Sequence, residues 1–433
     1  MAELTNNIPA LVEALTKDIL HLQDYLDLLE AQIQEREPSV KAFLVEQGRF
    51  ARLRKDADDL LHRYPTPEVR PPLFGIPVGV KDIYNVDGFK TRAGSKLPAE
   101  EFEGPEAESV RRLKEAGALI LGKTVTTEFA YFAPGPTCNP HHPDHTPGGS
   151  SSGSAAAVGA EMCPLALGTQ TIGSINRPAG FCGVVGFKPS YERISRVGVI
   201  PVSDSLDHVG FFTSDAESAR WAAPILIPNW NEVGSFQKPI LGIPDGPYLG
   251  RVSPAGLRNY ELTCERLLAS GFQIQKLQVM PDFDKIAKRH QIIMAAEIAQ
   301  VHSEWFSRYK NLYHEKTSTL IQEGMAVSEQ DLKEALPGRE NLRLELMRVM
   351  NQENIDLWIA PAAPGTAPKG LESTGDPIMN LPWTHSGLPA VSLPSGKNED
   401  GLPFGVQIVG KWHEDESVLA WACEIEKVLS FSD

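Results

Sequence analysis

Residues 146–178 constrain this chain more than any other segment, because small residues, hydroxyls and glycines follow one another throughout it. It opens TPGGSSSGSAAAV and closes LGTQTIGSINRP, so Ser150, Ser151 and Ser152 form one glycine-flanked turn and Ser174 lies in a second. Hydroxyls set among glycines suit acyl chemistry, since the backbone can approach a developing oxyanion and offer it N–H groups. Composition alone would favour an ordinary Gly/Ser loop. A lysine upstream argues for chemistry instead.

That lysine is Lys81, in the strand-like run GIPVGVKDIYNV. A serine hydroxyl is a weak nucleophile until a neighbouring base takes its proton. Lysine can act as that base only when neutral, and burial among apolar groups such as Val78 and Val80 favours the neutral amine. The alternative, a Lys81 paired with a buried acid such as Asp82, would be preferred if the serines were absent.

Composition excludes several classes of function. The chain has 433 residues, 42% of them hydrophobic, and a net charge of −15, which argues against nucleic acid and anionic membranes as partners. The N-terminal residues lack the basic stretch and the following apolar stretch of a signal peptide, so we expect none. No apolar run reaches about 18 residues, so we expect no transmembrane helix. The five cysteines are odd in number and form no CxxC pair, so we expect free thiols and a cytoplasmic location.

Periodicity predicts helices and strands in alternation. Residues 8–36 have helical spacing until Pro38, and a second helical stretch follows from about residue 40 to 61, so residues 1–64 are interpreted as N-terminal helices. Residues 106–122 and 253–275 each predict a helix, a glycine and a strand, with Ser253 as N-cap in the second unit.

The remaining patterns set the organisation of the chain. Residues 72–200 are the predicted catalytic core, and residues 216–352 are predicted to be mainly helical. Short apolar runs bounded by Gly and Pro return after residue 356 and indicate strands. We therefore expect an α/β fold in one domain, residues 1–433, whose sheet is interrupted by the helical region.

Two motifs are interpreted as coincidental. Residues 117–124 satisfy the GxxxxGK[ST] pattern of a P-loop, but the ALIL within them is itself the best strand candidate. The potential metal ligands His141, His142, Asp144 and His145 lie among prolines and lack helical i, i+4 spacing, so we predict no metal site.

Two further groups of reactive residues are interpreted as structural. Asp207 and His208 in SLDHVG would suit a Ser-His-Asp triad with Ser174, and it is the family resemblance described next that implies a structural role for them. Cys182 has no charged neighbour in sequence and is interpreted as a small buried residue.

The motifs together resemble the amidase signature family of serine amide hydrolases. The resemblance rests on GIPVGVKDIYNVDG, TPGGSSSGSAAAV and LGTQTIGSINRPAGFCGVVGFKPS, and on the later GLPAVSLPSG and GLPFGVQIVG. It covers residues 72–198 and resumes near residue 356. It implies an α/β/α sandwich with a central twisted mixed β-sheet covered by helices.

Carried onto this chain, the resemblance implies a Ser–cis-Ser–Lys triad. Ser174 would be the nucleophile, Ser150 the relay with a cis peptide bond, and Lys81 the base, with the family's 24-residue gap between the serines. Ser151 and Ser154 are expected to bond within the turn and help to hold Lys81. The expected oxyanion hole consists of the backbone N–H groups of four consecutive residues: Thr171, Ile172, Gly173 and Ser174.

The chain departs from the commonest family pattern at two positions. Ile172 stands where glycine is frequent, and Arg177 is the third residue after Ser174. Malonamidase-like members use an arginine there to hold a substrate carboxylate, which a guanidinium can bind with two parallel hydrogen bonds. The alternative for Arg177 is a structural pairing or a helix cap.

We therefore predict an amidase that hydrolyses a small-molecule carboxamide and releases ammonia without a cofactor or a metal. Nucleic acid and membranes are not expected as partners, and a homodimer is left open. One alternative is the glutaminase component of a tRNA-dependent amidotransferase, which works with a partner on charged tRNA. A second is a catalytically silent scaffold of the same fold.

Overall fold

The computed structural model describes residues 5–234 and 237–430. Its strands lie in a single mixed sheet with the order β2-β1-β3-β5-β4-β9-β10-β8-β6-β7. The strands are β1 (Pro77–Lys81), β2 (Leu119–Thr124), β3 (Leu165–Gln170), β4 (Val185–Lys188), β5 (His208–Thr213), β6 (Ile240–Asp245), β7 (Gln273–Gln278), β8 (Leu357–Pro361), β9 (Ala390–Lys397) and β10 (Pro403–Val409).

The strand pairing changes from parallel to antiparallel and back to parallel across the sheet. Strand β1 is parallel to both β2 and β3, while β3–β5, β5–β4, β4–β9, β9–β10 and β10–β8 are antiparallel. The far edge returns to parallel pairing through β8–β6 and β6–β7. This arrangement confirms the predicted α/β fold with a mixed sheet.

Helices cover the sheet. Helix α6 packs on β4, β9 and β10, and α15 packs on β9, α7 and α8. The helices are α1 (Ile8–Thr16), α2 (Leu22–Val40), α3 (Arg49–Arg63), α4 (Glu108–Glu115), α5 (Ser152–Gly159), α6 (Asn176–Cys182), α7 (Ala216–Leu226), α8 (Pro254–Ala269), α9 (Phe283–Val301), α10 (Ser303–Tyr309), α11 (Glu315–Met325), α12 (Glu329–Ala335), α13 (Pro337–Gln352), α14 (Leu381–His385) and α15 (Asp415–Leu429).

Local signals located several elements correctly. Helix α8 begins after Ser253, whose side chain accepts a hydrogen bond from Gly256 N, and β7 follows it as predicted. Helix α4 and β2 likewise flank Gly117, which has φ +90°. Residues 119–124 are therefore strand, and the P-loop pattern has no phosphate-binding loop in it.

One expected helix boundary was wrong. Pro38 does not interrupt the helix before it, because α2 continues to Val40 and ends at Lys41, whose backbone is left-handed. The proline lies in the last turn, where the loss of one N–H is offset by the burial of Val40. Residues 216–352 are mainly helical as expected, and they also contribute β6, which was not predicted because Gly242 and Pro244 are typical strand breakers.

Within residues 5–234 and 237–430, no helix combines the length and the apolar character needed to cross a membrane.

Glu426 on α15 is the buried acid with the clearest consequence for stability. Its carboxylate accepts a hydrogen bond of 2.8 Å from Ala216 N at the start of α7. Burial is the main cause that raises the pKa of Glu426 to about 7, and the nearby charges of Asp215 and Glu217 raise it further. Because the folded chain holds this proton more tightly than the unfolded chain, stability falls as pH rises through about 7.

We therefore expect Glu426→Gln to stabilise the fold by about 1–3 kcal/mol at pH 8 and to have little effect at pH 4.5. The glutamine oxygen can still accept the Ala216 N–H, so only the cost of the buried charge is removed. Urea unfolding at both pH values measures the difference, with Glu424→Gln, a half-exposed position on the same helix, as the control. A destabilised Glu426→Gln at pH 8 would contradict this account.

Candidate active site

Lys81 ends β1 with its side chain fully buried at the centre of the predicted site. Its Nζ lies 2.8 Å from Ser150 Oγ, 3.0 Å from Ser151 Oγ and 2.8 Å from Thr169 Oγ1. Burial lowers the pKa of Lys81 well below its usual value, and the Asp207 carboxylate opposes that shift. The three neighbours of the amine are therefore hydroxyls rather than a carboxylate.

The acid beside Lys81 in sequence has another partner. Asp82 forms a buried ion pair with Lys123 at 2.8 Å and accepts hydrogen bonds from Arg92 N. The alternative in which Lys81 pairs with Asp82 is thus not what the structure shows. Because the ion pair takes the Asp82 charge, no carboxylate among the described residues contacts Lys81 to keep it protonated.

The hydrogen bonds around Lys81 suit a neutral amine. Ser151 Oγ donates to Thr169 O at 3.2 Å, so toward Lys81 it can only accept an N–H. A neutral amine has two N–H groups and one lone pair. If Thr169 takes the second N–H, the lone pair is left for the hydroxyl of Ser150.

The second expected helper of Lys81 does not contact it. Ser154 Oγ donates to Leu167 O at 2.8 Å and lies 2.7 Å from Thr124 Oγ1. It fastens α5 to β2 and β3. Ser151 therefore contacts Lys81 as expected, whereas Ser154 packs α5 against β2 and β3.

The turn that carries Ser150 has the cis peptide bond expected from the resemblance, between Gly149 and Ser150. Helix α5 starts two residues later and lies against the backbone of Ala42 and Val125. A Cβ on Gly153 would come within 2.2 Å of Ala42 O, so only glycine permits this approach. The small residues of the segment thus bring the Ser150 turn next to the end of β1.

Ser174 follows β3 through the short loop of residues 171–174, which is held from three sides. Asp207 Oδ1 accepts from Thr171 Oγ1 at 2.6 Å, and Thr384 Oγ1 donates to Ile172 O. Gln170 Oε1 accepts from the backbone N–H groups of the two residues after Ser174, at 2.8 and 2.9 Å. These contacts fix the loop, and its role as an oxyanion hole stays a prediction.

Sequence reasoning missed most of the residues that fix this loop. Gln170 and Thr169 lie within the GTQTIGS motif, so their position beside Ser174 was an available signal. Asn380 packs against Gly173, where a Cβ would lie 2.4 Å from Asn380 Oδ1. Asn380 and Thr384 are more than 200 residues away along the chain, and no local pattern indicates their role.

Ser150 and Ser174 line the same small cavity, whose free volume of about 10 Å³ is room for about one water molecule. Its other polar groups are few, and among the described residues that line it no side chain is acidic. The apolar part of the wall consists of Ala130, Phe132, Ile172, Val202, Met294 and Pro377. The space beside the two serines is therefore narrow and mostly apolar.

Arg177 is the charged side chain that lines this cavity. It is buried, and its Nη2 donates to Gly149 O and to Thr374 Oγ1, while Nη1 donates to Gly375 O. Its Nε has no hydrogen-bond partner within residues 5–234 and 237–430. Burial lowers the pKa of Arg177 to about 9, so it remains positive at neutral pH. Both terminal nitrogens of the guanidinium therefore already donate to groups of the chain. That Arg177 binds a substrate carboxylate stays a prediction.

A second cavity, of about 450 Å³, lies beside the first and shares Val202 with it. Thr169 and Asp207 also line it, so it reaches residues that contact Lys81 and the loop of residues 171–174.

The reactive residues that the sequence assigned to the scaffold have structural contacts. His208 Nδ1 lies 2.7 Å from Leu206 O, and the Asp207 carboxylate is bonded to Thr171 and to backbone N–H groups rather than to His208. Burial lowers the pKa of His208 well below its usual value. Cys182 is buried, and burial raises the pKa of its thiol.

The histidine cluster contacts backbone. His141 Nε2 lies 2.8 Å from Cys182 O and His145 Nδ1 lies 2.8 Å from Ala367 O. Within the described part of the chain, no three His, Cys, Asp or Glu side chains form a group that could hold a metal ion.

We accordingly expect dialysis against EDTA to leave the reaction rate unchanged, because the nucleophile and base proposed below are serines and a lysine. The rate of ammonia release before and after dialysis measures this, and His142→Ala provides a matched variant in the cluster. Activity that is lost to the chelator and restored by zinc would overturn the assignment.

Comparison with known proteins gives one consistent result. The family model described as Amidase matches residues 25–419. The A subunit of the Glutamyl-tRNA(Gln) amidotransferase of Synechococcus sp. (strain WH7803) is 30% identical to this chain, over 92% of each. A solved structure described as that of an amidase is 31% identical with a TM-score of 0.89, over 98% of this chain and 100% of its own. The native peptide amidase from Stenotrophomonas maltophilia is 23% identical with a TM-score of 0.82, over 99% and 97%, and its likeness concerns the fold.

Proposed function

Because the chain belongs to the amidase family, whose members cleave amide bonds, we propose that it hydrolyses a small carboxamide through an acyl-enzyme on Ser174. The observation that carries the proposal is the position of Lys81. It is buried and in contact with Ser150, and Ser150 shares one small cavity with Ser174. The five cysteines are free, which agrees with the proposed location in the cytoplasm.

In the proposed first step, neutral Lys81 takes a proton from Ser150 as Ser150 takes the proton of Ser174. Ser174 Oγ forms a bond to the amide carbon, and the carbonyl oxygen becomes an oxyanion. The backbone N–H groups of residues 171–174 stabilise that charge, since donors fixed in advance do not have to reorient. The relay returns a proton to the leaving nitrogen, and ammonia departs.

In the second step, a water molecule attacks the ester carbon and gives its proton to the relay. The bond to Ser174 breaks, the carboxylic acid leaves, and Ser174 regains its proton. Both steps use the same two groups, so Lys81 is neutral at the start of each. No cofactor takes part in this scheme.

Labelling with a fluorophosphonate tests the nucleophile without knowledge of the substrate. The proposal expects covalent modification of Ser174, located by mass spectrometry of the digested protein, and none of Ser150. Ammonia release from a panel of small amides then tests the reaction. A chain that is neither labelled nor active would support the silent scaffold.

The relatives named as amidotransferase components support a second candidate, a glutaminase that passes ammonia to a partner protein. Glutamine carries an α-ammonium group, for which a carboxylate is the natural partner. Among the described residues, the lining of the cavity that Ser150 and Ser174 share contains no acid. We therefore place this candidate second. Glutamine hydrolysis together with co-purification of a partner protein would reverse the order.

The substrate prediction concerns Arg177. Because its terminal nitrogens hold Gly149, Thr374 and Gly375, we propose that it meets an acceptor group of the substrate through its positive charge and its free Nε–H. Arg177→Lys is then expected to raise KM for an acidic amide such as malonamate about 10-fold more than for neutral propionamide.

The same experiment separates the two roles of Arg177. Equal losses on malonamate and propionamide would show that Arg177 only positions the turn before Ser150. Thr374→Val is the matched variant, because it removes one bond to the guanidinium and leaves the charge in place.

A further inference from the structure

Asp207 is a buried carboxylate that accepts three hydrogen bonds from described residues. Oδ1 accepts from Thr171 Oγ1 at 2.6 Å, and Oδ2 accepts from Val202 N at 2.7 Å and Ser203 N at 3.1 Å. Burial raises the pKa of Asp207, and these three hydrogen bonds oppose that shift because they stabilise the charged carboxylate.

These hydrogen bonds join two parts of the proposed site. Thr171 begins the loop that leads to Ser174, and its side chain is held by Asp207 alone among the described residues. Val202 lines the cavity that contains both serines. A single carboxylate thus connects the loop to Val202, another residue of the cavity wall.

The charge of Asp207 also has no ion pair to cancel it. Among the described residues it forms no contact of 4 Å or less with a lysine, arginine or histidine, and Arg196 acts on it only from farther away. The groups that feel its charge are Lys81 and the phenol of Tyr84. Asp82, the other acid near Lys81, is paired with Lys123.

We propose that Asp207 is a positioning residue of this site, which fixes the Thr171 hydroxyl and the backbone at Val202 and Ser203, and whose negative charge lies on the same cavity as Thr169, the neighbour of Lys81. The inference rests on the proposed function. It assigns to SLDHVG a part in catalysis that acts through other groups, since Asp207 itself contacts neither serine in the structure.

Asp207→Asn separates charge from position. The amide oxygen can accept from the two backbone N–H groups, and the amide nitrogen can donate to Thr171 Oγ1, so the shape of the site is kept. Loss of the negative charge favours neutral Lys81, so its pKa falls and the pH at which the site becomes active falls with it. A weaker base also lowers the maximal rate.

Thr171 supplies the matched pair of variants. Thr171→Val removes the hydroxyl and keeps the Asp207 charge, so it should lower the rate without moving the pH dependence. Thr171→Ser keeps the hydroxyl and should restore the rate. Asp204→Asn, at an exposed acid of the same segment, is the charge control and should change neither quantity.

The experiment is the rate of fluorophosphonate labelling of Ser174 as a function of pH in the full chain. For Asp207→Asn we expect the rising limb to move about 0.5–1 pH unit lower and the plateau to fall about 10-fold. For Thr171→Val we expect a plateau about 10-fold lower with the limb unmoved. Thermal unfolding of each variant confirms that it is folded.

The outcomes are distinct. If Asp207→Asn has the same pH profile of labelling and the same maximal rate as the wild type, the inference is overturned and the nucleophile assignment remains. If the wild-type chain is not labelled at all, the proposed function itself is overturned. A lowered plateau with an unmoved limb overturns the electrostatic half. If Asp207→Asn does not fold, the Thr171 pair decides, since Thr171→Val with the wild-type rate overturns the positioning half.

Discussion

Ser174→Ala is expected to lower amide hydrolysis by at least about 10⁴-fold, because the oxygen that would form the acyl-enzyme is gone. The variant should fold normally, since α6 is held at its start by Gln170, which accepts from the N–H groups of Ile175 and Asn176. Ammonia release under single-turnover conditions measures the loss, and circular dichroism confirms the fold.

Ser152→Ala is the control for that measurement. Ser152 belongs to the same run of three serines, but its Oγ donates to Val125 O and does not contact Lys81. We expect it to stay within a few-fold of the wild-type rate. Substantial turnover by Ser174→Ala, or labelling of a different serine, would sink the nucleophile assignment.

Lys81→Met is expected to lower the rate by about 10³-fold while stabilising the fold. The methionine fills a similar volume but cannot take a proton from Ser150. At neutral pH the buried lysine costs stability, because its pKa is lowered in the folded chain and the unfolded chain binds the proton more tightly. That cost is present below the unfolded pKa and fades as pH rises toward it.

Two measurements check the lysine prediction. In the wild type, kcat/KM should rise with pH as Lys81 becomes neutral, and this rise should be absent from Lys81→Met. The double variant Lys81→Met/Ser150→Ala should be no slower than either single variant, since residues that act as one unit are not additive. A Lys81→Met enzyme with a wild-type pH profile would show that another group is the base.

Burial of Lys81 has opposite effects on the reaction rate and on the stability of the fold. A buried lysine without a carboxylate in contact among the described residues is unfavourable for folding, and its contacts with Ser150, Ser151 and Thr169 offset part of the lost hydration. The same burial favours the neutral amine that the proposed mechanism needs. Function and folding therefore make opposite demands on this position.

The amino-acid sequence by itself indicated the α/β fold class and several of its elements, and the family resemblance of its motifs indicated which segments meet at the site. Helix α8 with its Ser253 cap, Gly117 between α4 and β2, and the short strands after residue 356 depend on local periodicity and on individual turn residues. The motifs around Lys81, Ser150 and Ser174 were equally local, because their glycines and hydroxyls lie next to one another in the chain.

Only the tertiary structure decided which partners the polar groups take. Lys123 pairs with Asp82 across neighbouring strands, Thr384 binds Ile172 from 212 residues away, and Gly375 engages Arg177 from 198 residues away. A buried polar group must find a partner, but the sequence pattern does not say which of many distant groups the fold brings to it. For the same reason Asp207, which the family resemblance assigned to the scaffold, became a candidate positioning residue only through the contacts of its two oxygens with Thr171 and Val202.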